Sequence, residues 1–431
     1  MAGVGVLVIF VAVFSTFYGA FGLIETRIAK RSAGWALFLA PFLWVALELA
    51  RTYLITGFPW NLLGYAVRPQ GLEQIARVTA VYGLSFLALA TSALLAWVML
   101  IPRRRFGWIA LFAWLVLLLA GDGLLHPPLA QPEPDVALLV QPNIPLAESR
   151  LKGWVPWLNP NPLNALVQRS LAASRAPGAM AKDPPLLIWP EEPAPFYFNR
   201  DPVFQGAMEM MAKESHAYVI AGTVTFEGQG TSLPKNSAVI LSPDGQVVLQ
   251  YDKIHLVPFG EYVPWWAFPE ETGKITSQVG DFVPGKSIRV AKTPQGTLGV
   301  FICYEAIFPQ LVRKMAASGA GVLVNISDDG WFGDSSAPYQ HFEMARFRAI
   351  ENGRFMLRAT NDGITAIVDP YGRVQDEIPR HQQMILTGNF RYLTEETFYT
   401  KHGDVFAWAC VVVALGMILA LGLAARRAST P

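Results

Sequence analysis

The chain has 431 residues, of which 52% are hydrophobic and only 16% are charged, and its formal net charge is +1. The charged share lies below the roughly 25% typical of soluble domains, and a nearly neutral chain lacks the basic face that nucleic-acid binding requires. Its two cysteines, Cys303 and Cys410, are too few for a disulfide framework. These numbers exclude a nucleic-acid-binding protein and a disulfide-built scaffold.

Five apolar stretches predict membrane-spanning helices, because a helix needs roughly 20 apolar residues to cross the hydrocarbon core. They are residues 4–24, 35–55, 78–101, 106–120 and 405–423, of which the fourth is short. Basic clusters at 27–31, 103–105 and 426–427 are expected on the cytoplasmic side. With this assignment the spans alternate, and the N-terminus and residues 121–401 lie outside.

The connector after the second span, residues 56–66, is unusually apolar and aromatic. Phe58, Trp60 and Tyr65 suit the membrane–water interface, where aromatic side chains are enriched. Ordinary packing between spans explains them equally well. Phe58 and Trp60 are therefore candidates for a lipid-access loop.

A Pro-rich linker at 127–134 separates these spans from a different pattern. Short apolar runs predict strands, and longer amphipathic runs between them predict helices. Strands are expected at 135–140, 186–189, 218–224, 237–241, 247–251, 298–302, 322–326, 355–358 and 365–368. Helices are expected at 161–175, 203–215, 310–317 and 340–352.

This mixture predicts an α/β domain, layered α-β-β-α, of roughly 260 residues. The predicted organisation is a membrane domain of about four helices (1–126), a linker (127–134), a catalytic domain (135–398), and a final membrane helix with a basic cytoplasmic tail (399–431).

Three predicted strands run directly into reactive side chains: Glu191, Lys253 and Cys303. Groups gathered at strand ends on a rigid scaffold form the active sites of many α/β proteins. A carboxylate, an ammonium and a thiol suffice for acyl transfer, as base, oxyanion partner and nucleophile. Taken singly, Glu191 and Lys253 are also consistent with a surface ion pair.

Cys303 is expected on a tight turn between a strand and a helix, because Pro309 favours the first turn of a helix. The partial positive charge of a helix N-terminus is expected to lower the pKa of the thiol. A buried, unreactive cysteine is the alternative. The positions of His255 and His341 relative to the thiol stay open at this stage.

Three sequence blocks, WPE at 189–191, DKIHLVPFGE at 252–261 and ICYE at 302–305, resemble the three signatures of the nitrilase superfamily. Within it, the chain resembles the bacterial apolipoprotein N-acyltransferases. Further blocks support this narrower resemblance, at 56–65, 141–145, 325–334, 340–348 and 358–366.

The resemblance implies Glu191 as general base, Lys253 as oxyanion stabiliser and Cys303 as nucleophile. It implies supporting roles for Glu261 and Glu305, which orient the lysine and shape the site. Tyr304 would contribute its backbone N–H and a side-chain contact.

The implied reaction is ping-pong and needs no cofactor or metal. A phospholipid acylates Cys303, and the thioester then acylates the α-amino group of an S-diacylglyceryl cysteine at the N-terminus of an apolipoprotein. The implied location is the bacterial inner membrane, with the catalytic domain on its outer, periplasmic face. The alternatives are a membrane-anchored amidase of the same superfamily and a non-catalytic lipid-binding membrane protein.

The segment after Glu261, residues 262–269, is strongly aromatic. We expect Trp265 and Trp266 to belong to a lid that dips into the membrane interface and gates lipid entry; packing on the domain core is the alternative. The chain also departs from the family pattern. It has fewer predicted spans than its members usually carry, which suggests absent upstream spans, and Asp328 and Gly330 replace the more usual Asn and Ala.

Overall fold

The computed structural model describes residues 2–100, 104–125, 134–144, 161–179, 182–191, 197–226, 233–264 and 282–428. The chain divides into two compact units. One comprises Met1–Pro128 and Thr397–Pro431, and the other Leu129–Glu396. The finer domain boundaries given above remain a prediction.

The first unit is helical. Its helices are α1 (Ala2–Ala29), α2 (Ala33–Tyr53), α3 (Gln70–Glu73), α4 (Ala76–Thr79), α5 (Val81–Leu100), α6 (Arg104–Leu124), α11 (Phe398–His402) and α12 (Val405–Ala428).

Four segments in the described part of this unit are long and apolar enough to cross a membrane: Ala33–Tyr53, Val81–Leu100, Phe106–Leu124 and Val405–Ala424. They match the last four predicted spans. The first predicted span, residues 4–24, lies within α1, and its crossing of a membrane stays a prediction. The chain is a membrane protein, as expected from its composition.

Apolar side chains hold these helices together. Leu39 and Leu43 of α2 pack in one buried cluster with Ile28 of α1 and Ala414 of α12, so the first and last parts of the chain form a common core. Because lipid tails are as apolar as these side chains, close packing rather than water exclusion stabilises such contacts.

The second unit contains two six-stranded sheets. The strands are β1 (Asp135–Gln141), β2 (Leu186–Ile188), β3 (Tyr218–Phe226), β4 (Pro234–Leu241), β5 (Val247–Asp252), β6 (Val290–Lys292), β7 (Thr297–Ile302), β8 (Val322–Ser327), β9 (Phe355–Thr360), β10 (Thr365–Val368), β11 (Val374–Ile378) and β12 (Met384–Phe390). The first sheet has the order β12-β1-β2-β3-β4-β5, and the second the order β11-β10-β9-β8-β7-β6.

Both sheets are mixed. In the first, β1, β2 and β3 are parallel neighbours, and in the second β7, β8 and β9 are parallel. The remaining neighbours are antiparallel. The helices α7 (Asn161–Ser174) and α8 (Pro202–Ser215) join strands of the first sheet, while α9 (Pro309–Ala317) and α10 (Ala337–Asn352) join strands of the second.

The buried apolar side chains of β1 show how the helices and the two sheets are layered. Val136, Leu138 and Val140 lie on one face of β1 and share a buried cluster with apolar side chains of α7 and α8. Residues on the other face of β1 are buried as well, because β1 packs against β9 and β10 of the second sheet. Apolar burial on both faces gives an α-β-β-α sandwich, which confirms the predicted fold class.

Each predicted strand is present to within a few residues, but β6, β11 and β12 were not predicted. The physical reasons differ. β6 has three residues, and β11 exposes four of its five residues, so neither shows an apolar pattern. β12 contains Gly388, where an added Cβ would lie 2.5 Å from the Cδ1 atom of Ile367 in the facing sheet. Glycine is a poor strand former, and at this position a larger residue would require the Ile367 side chain to shift.

Candidate active site

Three strand ends carry the candidate catalytic side chains. β2 continues through Trp189 and Pro190 to Glu191, β5 ends immediately before Lys253, and β7 ends immediately before Cys303. Trp189 is fully buried, and its indole N–H donates to the Ser170 hydroxyl at 3.1 Å. Packing of this large side chain fixes the chain segment from which Glu191 projects.

A buried ammonium lies between two carboxylates. The Nζ atom of Lys253 is 3.1 Å from Oε1 of Glu191 and 3.0 Å from Oε1 of Glu261. Lys253 is 1% exposed. An ammonium without partners at this depth would cost several kcal/mol, so the two carboxylates are what allows the lysine to remain charged there.

Each carboxylate is also held by neutral donors. The Asn236 amide donates to Oε1 of Glu191 at 2.7 Å and to Oε1 of Glu261 at 2.8 Å. The backbone N–H of Asp328 donates to Oε2 of Glu191 at 3.0 Å, and that of Val257 donates to Oε2 of Glu261 at 2.7 Å. Both oxygens of both carboxylates therefore have partners, which fixes their orientation around the lysine.

The charge of Lys253 follows from these contacts. Burial acts to lower the pKa of Lys253, but Glu191 and Glu261 outweigh it and raise the pKa well above its ordinary value. Lys253 is thus a permanent cation in a water-poor site. Such a cation is suited to stabilise negative charge that develops beside it.

Cys303 lies on the turn that the sequence predicts, since β7 passes into a 3-10 turn, Cys303–Ile307, and then into α9. Its backbone φ angle is +48°, in the left-handed region that a residue with a Cβ adopts at a cost of about 1–3 kcal/mol. The surrounding contacts must supply this energy. A strained backbone at a reactive residue is a frequent feature of active sites.

The expected lowering of the thiol pKa is wrong. Burial is the largest of the effects that raise the pKa of Cys303 well above its ordinary value, and the negative charge of Glu191 adds to it. Lys253 and a hydrogen bond with Ser327 lower the pKa, but their effects are smaller. The resting thiol is therefore protonated, and it needs a base at the moment of attack.

Glu305 ties two of the strand ends together. Its Oε1 atom accepts hydrogen bonds from the Tyr251 hydroxyl at 2.8 Å, from the Ile254 N–H at 2.7 Å and from the His255 N–H at 3.2 Å. Its Oε2 atom accepts from the Ile302 N–H at 2.8 Å. One buried carboxylate thus joins the segments that flank Lys253 and Cys303.

The Tyr304 side chain is nearly buried. Its ring packs edge-on against Phe308, with 5.3 Å between centroids, and lies 5.9 Å from the ring of His255. Its backbone N–H follows the nucleophile directly. Its role as an oxyanion donor stays a prediction.

The two histidines left open by the sequence now have positions. The His255 ring packs on Phe308, with 3.7 Å between centroids. The Nε2 atom of His341 is 3.0 Å from the backbone carbonyl oxygen of Cys303, and Nδ1 is 2.9 Å from Oδ1 of Asp329. His341 therefore contacts the peptide of the nucleophile.

One polar group near the site was missed from the sequence, and the position of a second was left open. Asn236 lies inside β4 rather than at a strand end, and its signal is a polar residue in a strand that is buried throughout. His341 lies 38 residues after Cys303, and no local spacing links the two.

The predicted lipid-access residues fall in different places. Phe58 and Trp60 stack in the helical unit with 5.8 Å between ring centroids, and Phe58 also meets Phe10 and Phe14 edge-on at 5.1 Å. Trp265 and Trp266 lie outside the described residues. Within the described ranges, no group of three His, Cys, Asp or Glu side chains is placed to hold a metal ion.

Two family models match the chain. A model described as apolipoprotein N-acyltransferase N-terminal domain matches residues 1–94, and one described as carbon-nitrogen hydrolase matches residues 131–395. Among solved structures, an amidase from Nesterenkonia sp. AN1 has a TM-score of 0.46 and 19% identity, over 64% of this chain and 96% of that one; this likeness is too weak to support an argument.

Two relatives align over nearly the whole chain. The apolipoprotein N-acyltransferase of Geobacter metallireducens is 40% identical over 439 residues, which cover 100% of this chain and 82% of that protein. The enzyme of the same name from Allorhizobium ampelinum is 33% identical, over 96% of this chain and 79% of that protein. The resemblance inferred from the sequence is confirmed: the chain belongs to the apolipoprotein N-acyltransferase family, whose catalytic part is a carbon-nitrogen hydrolase domain.

Proposed function

We propose that this chain transfers an acyl group from a membrane phospholipid to the N-terminal amine of an S-diacylglyceryl lipoprotein, through a thioester on Cys303. The observation that carries the proposal is the buried cluster of Glu191, Lys253 and Glu261 beside the Cys303 thiol, in a chain of this family. A base, a fixed cation and a strained nucleophile in one dry site form an acyl-transfer centre.

In the first half-reaction Glu191 takes the proton of the Cys303 thiol as sulfur attacks the ester carbonyl of the phospholipid. The new C–S bond forms and a tetrahedral intermediate results, with its negative charge on the former carbonyl oxygen. The ester C–O bond then breaks, Glu191 returns the proton to the departing alkoxide, and a lysophospholipid leaves. The acyl group remains as a thioester.

In the second half-reaction the amine of the acceptor attacks the thioester carbonyl. Glu191 accepts a proton from the attacking nitrogen, the C–S bond breaks, and the proton passes to the sulfur of Cys303. An amide forms and the resting enzyme returns. An amine competes well with water here because a thioester reacts readily with amines and because the site is closed to bulk solvent.

Lys253 stabilises the oxyanion of both tetrahedral intermediates, together with the backbone N–H of Tyr304. Loss of one such donor costs about 10²–10³ in kcat in a well-studied case. Because Glu261 and Asn236 hold Lys253 from the side, the cation need not reorganise as charge develops. Glu261 is thus proposed to orient the lysine rather than to exchange protons.

We place the enzyme in the bacterial cytoplasmic membrane, with the catalytic unit on its outer face. The support comes from the sequence, where the basic clusters at 27–31 and 426–427 mark cytoplasmic ends. Phe58 and Trp60 of the helical unit, and Trp265 and Trp266 of the catalytic unit, are proposed to contact the acyl donor at the membrane interface.

The proposal is tested with purified wild type and Cys303→Ser. Each is incubated with phospholipid labelled in its acyl chain and with a synthetic diacylglyceryl peptide that has a free N-terminus. We expect labelled N-acyl peptide from wild type and none from the variant. Release of ammonia from simple amides, without peptide acylation, would instead make the chain an amidase.

A further inference from the structure

A second polar cluster contacts the backbone carbonyl of the nucleophile through His341. Its centre is Asp329, in the 3-10 turn Asp329–Phe332. The Oδ1 atom of Asp329 contacts Nδ1 of His341 at 2.9 Å and accepts from the Ser327 hydroxyl at 2.7 Å. Its Oδ2 atom accepts from Nη2 of Arg358 at 2.6 Å. The side chains of Asp329, His341 and Arg358 are fully buried.

The contacts of His341 define what its ring can do. A carbonyl oxygen only accepts hydrogen bonds, so the contact with Cys303 requires a hydrogen on Nε2. The donor of this bond is therefore the ring, and the acceptor is the nucleophile's own carbonyl. On the other side, burial acts to raise the pKa of Asp329, but Arg358 and His341 outweigh it and hold the pKa well below its ordinary value. Nδ1 of the ring faces both this carboxylate and Nη2 of Arg358, at 2.9 Å and 3.2 Å, and these two contacts hold the ring in place.

Peptide geometry extends this contact to the neighbouring residue. The carbonyl of Cys303 and the N–H of Tyr304 belong to the same peptide group, which is planar and, like the other described peptides, not cis. In a trans peptide the C=O and the N–H point in opposite directions. A donor that holds the carbonyl on one side therefore fixes the direction of the N–H on the other. Accepting a hydrogen bond at the carbonyl also polarises the amide and strengthens its N–H as a donor.

We propose that His341 is a positioning residue, which holds the Cys303 carbonyl so that the Tyr304 N–H is aimed at the oxyanion of the acyl group on sulfur. The same hydrogen bond secures the left-handed backbone of Cys303. Asp329 and Arg358 act one step further away, by fixing the ring. This inference rests on the proposed function, because it presupposes that Cys303 carries the acyl group.

The test compares His341→Leu, which removes the donor, with His341→Gln, whose side-chain amide can donate to the same carbonyl. Tyr339→Leu, at an exposed position on α10, is the matched control. For each purified full-length protein we measure acyl transfer from phospholipid to a diacylglyceryl peptide, the thermal midpoint, and alkylation of Cys303 by iodoacetamide. Alkylation needs the thiol but forms no oxyanion, so loss of oxyanion stabilisation leaves its rate unchanged, whereas a defect in folding exposes the buried thiol and speeds it.

We expect kcat of His341→Leu to fall roughly 30- to 100-fold, somewhat less than for direct loss of a donor, with KM and alkylation within about three-fold of wild type. His341→Gln should recover at least ten-fold of that loss, and Tyr339→Leu should match wild type. Transfer by His341→Leu within two-fold of wild type overturns the inference. Loss of transfer together with an alkylation rate that differs more than three-fold from wild type in either direction, or a Gln variant as slow as the Leu variant, also overturns it. If wild type itself transfers no acyl group, the proposed function fails instead.

Discussion

Replacement of Glu305 by glutamine tests whether one buried carboxylate joins the strand ends of the site. Wild-type Glu305 accepts three hydrogen bonds at Oε1 and one, from the Ile302 N–H, at Oε2. In Glu305→Gln one of these oxygens becomes an NH2 group, which donates. The better arrangement places it at the Oε2 position, opposite the Ile302 N–H, so at least one buried donor loses its acceptor.

A buried donor without a partner costs about 1–3 kcal/mol. For a folding unit of this size, 1 kcal/mol corresponds to about 2–4 °C in the thermal midpoint. We therefore expect Glu305→Gln to lower the midpoint of the catalytic unit by roughly 2–12 °C. The control is Glu214→Gln, which removes the exposed ion pair of Glu214 with Arg175. It should change the thermal midpoint by about 1 °C or less, because surface ion pairs contribute little to stability.

The assay uses the distribution of the two cysteines, since Cys303 lies in the catalytic unit and Cys410 in the helical unit. In a Cys410→Ala background, a dye that becomes fluorescent on thiol labelling reports exposure of Cys303 as the detergent-solubilised protein is heated. A midpoint of Glu305→Gln within 1 °C of the parent, or an equal fall for Glu214→Gln, would refute the argument.

Three further predictions concern the charges of the site. Lys253→Met should lower the rate of acyl transfer about 10²–10³-fold; retention of more than a tenth of wild-type activity in the labelled-phospholipid assay contradicts the oxyanion role. Asn236→Ala, which removes a donor from both Glu191 and Glu261, should lower kcat roughly ten-fold with little change in KM. A steady-state kcat within three-fold of the wild-type value counts against this prediction. Burial, and to a smaller extent the charge of Glu191, raise the pKa of Asp328 to about 8. The protonated carboxyl therefore contributes to the free energy of unfolding fully below about pH 4, and this contribution is lost as the pH rises through 8. The thermal midpoint of Asp328→Asn should therefore rise relative to wild type between pH 5 and 8, and a difference that does not vary with pH refutes this assignment.

The strands that carry the site could be predicted because each is a short apolar run bounded by turn residues. In each case the reactive side chain follows directly, as Cys303 follows β7. The strands that were missed lack this signal. β11 lies at a sheet edge and is mostly exposed, and β12 contains Gly388, a residue type that disfavours strands, close to Ile367 of the facing sheet. β12 pairs with β1, which is far away in the chain, and local periodicity does not reveal such a pairing. β11 pairs with the preceding strand β10 and lacks only the apolar pattern.

The contacts that hold the site were less accessible from the sequence. Asn236 bridges Glu191, 45 residues earlier, and Glu261, 25 residues later, and His341 contacts a backbone atom rather than a reactive side chain. The sign of the thiol pKa shift was wrong for a related reason. A helix N-terminus is visible in the sequence, whereas the burial and the nearby carboxylate that raise the pKa of the thiol arise only when the chain folds.

The acyl-enzyme itself is the most direct test of the central claim. Wild type and Cys303→Ser, purified in detergent, are incubated with a phospholipid of defined acyl chain in the absence of acceptor, and the mass of each intact protein is measured. We predict that wild type gains the mass of one acyl group, that proteolysis locates it on Cys303, and that addition of a diacylglyceryl peptide with a free amine removes it. No mass gain in wild type, or an acyl adduct that Cys303→Ser retains, would contradict the account.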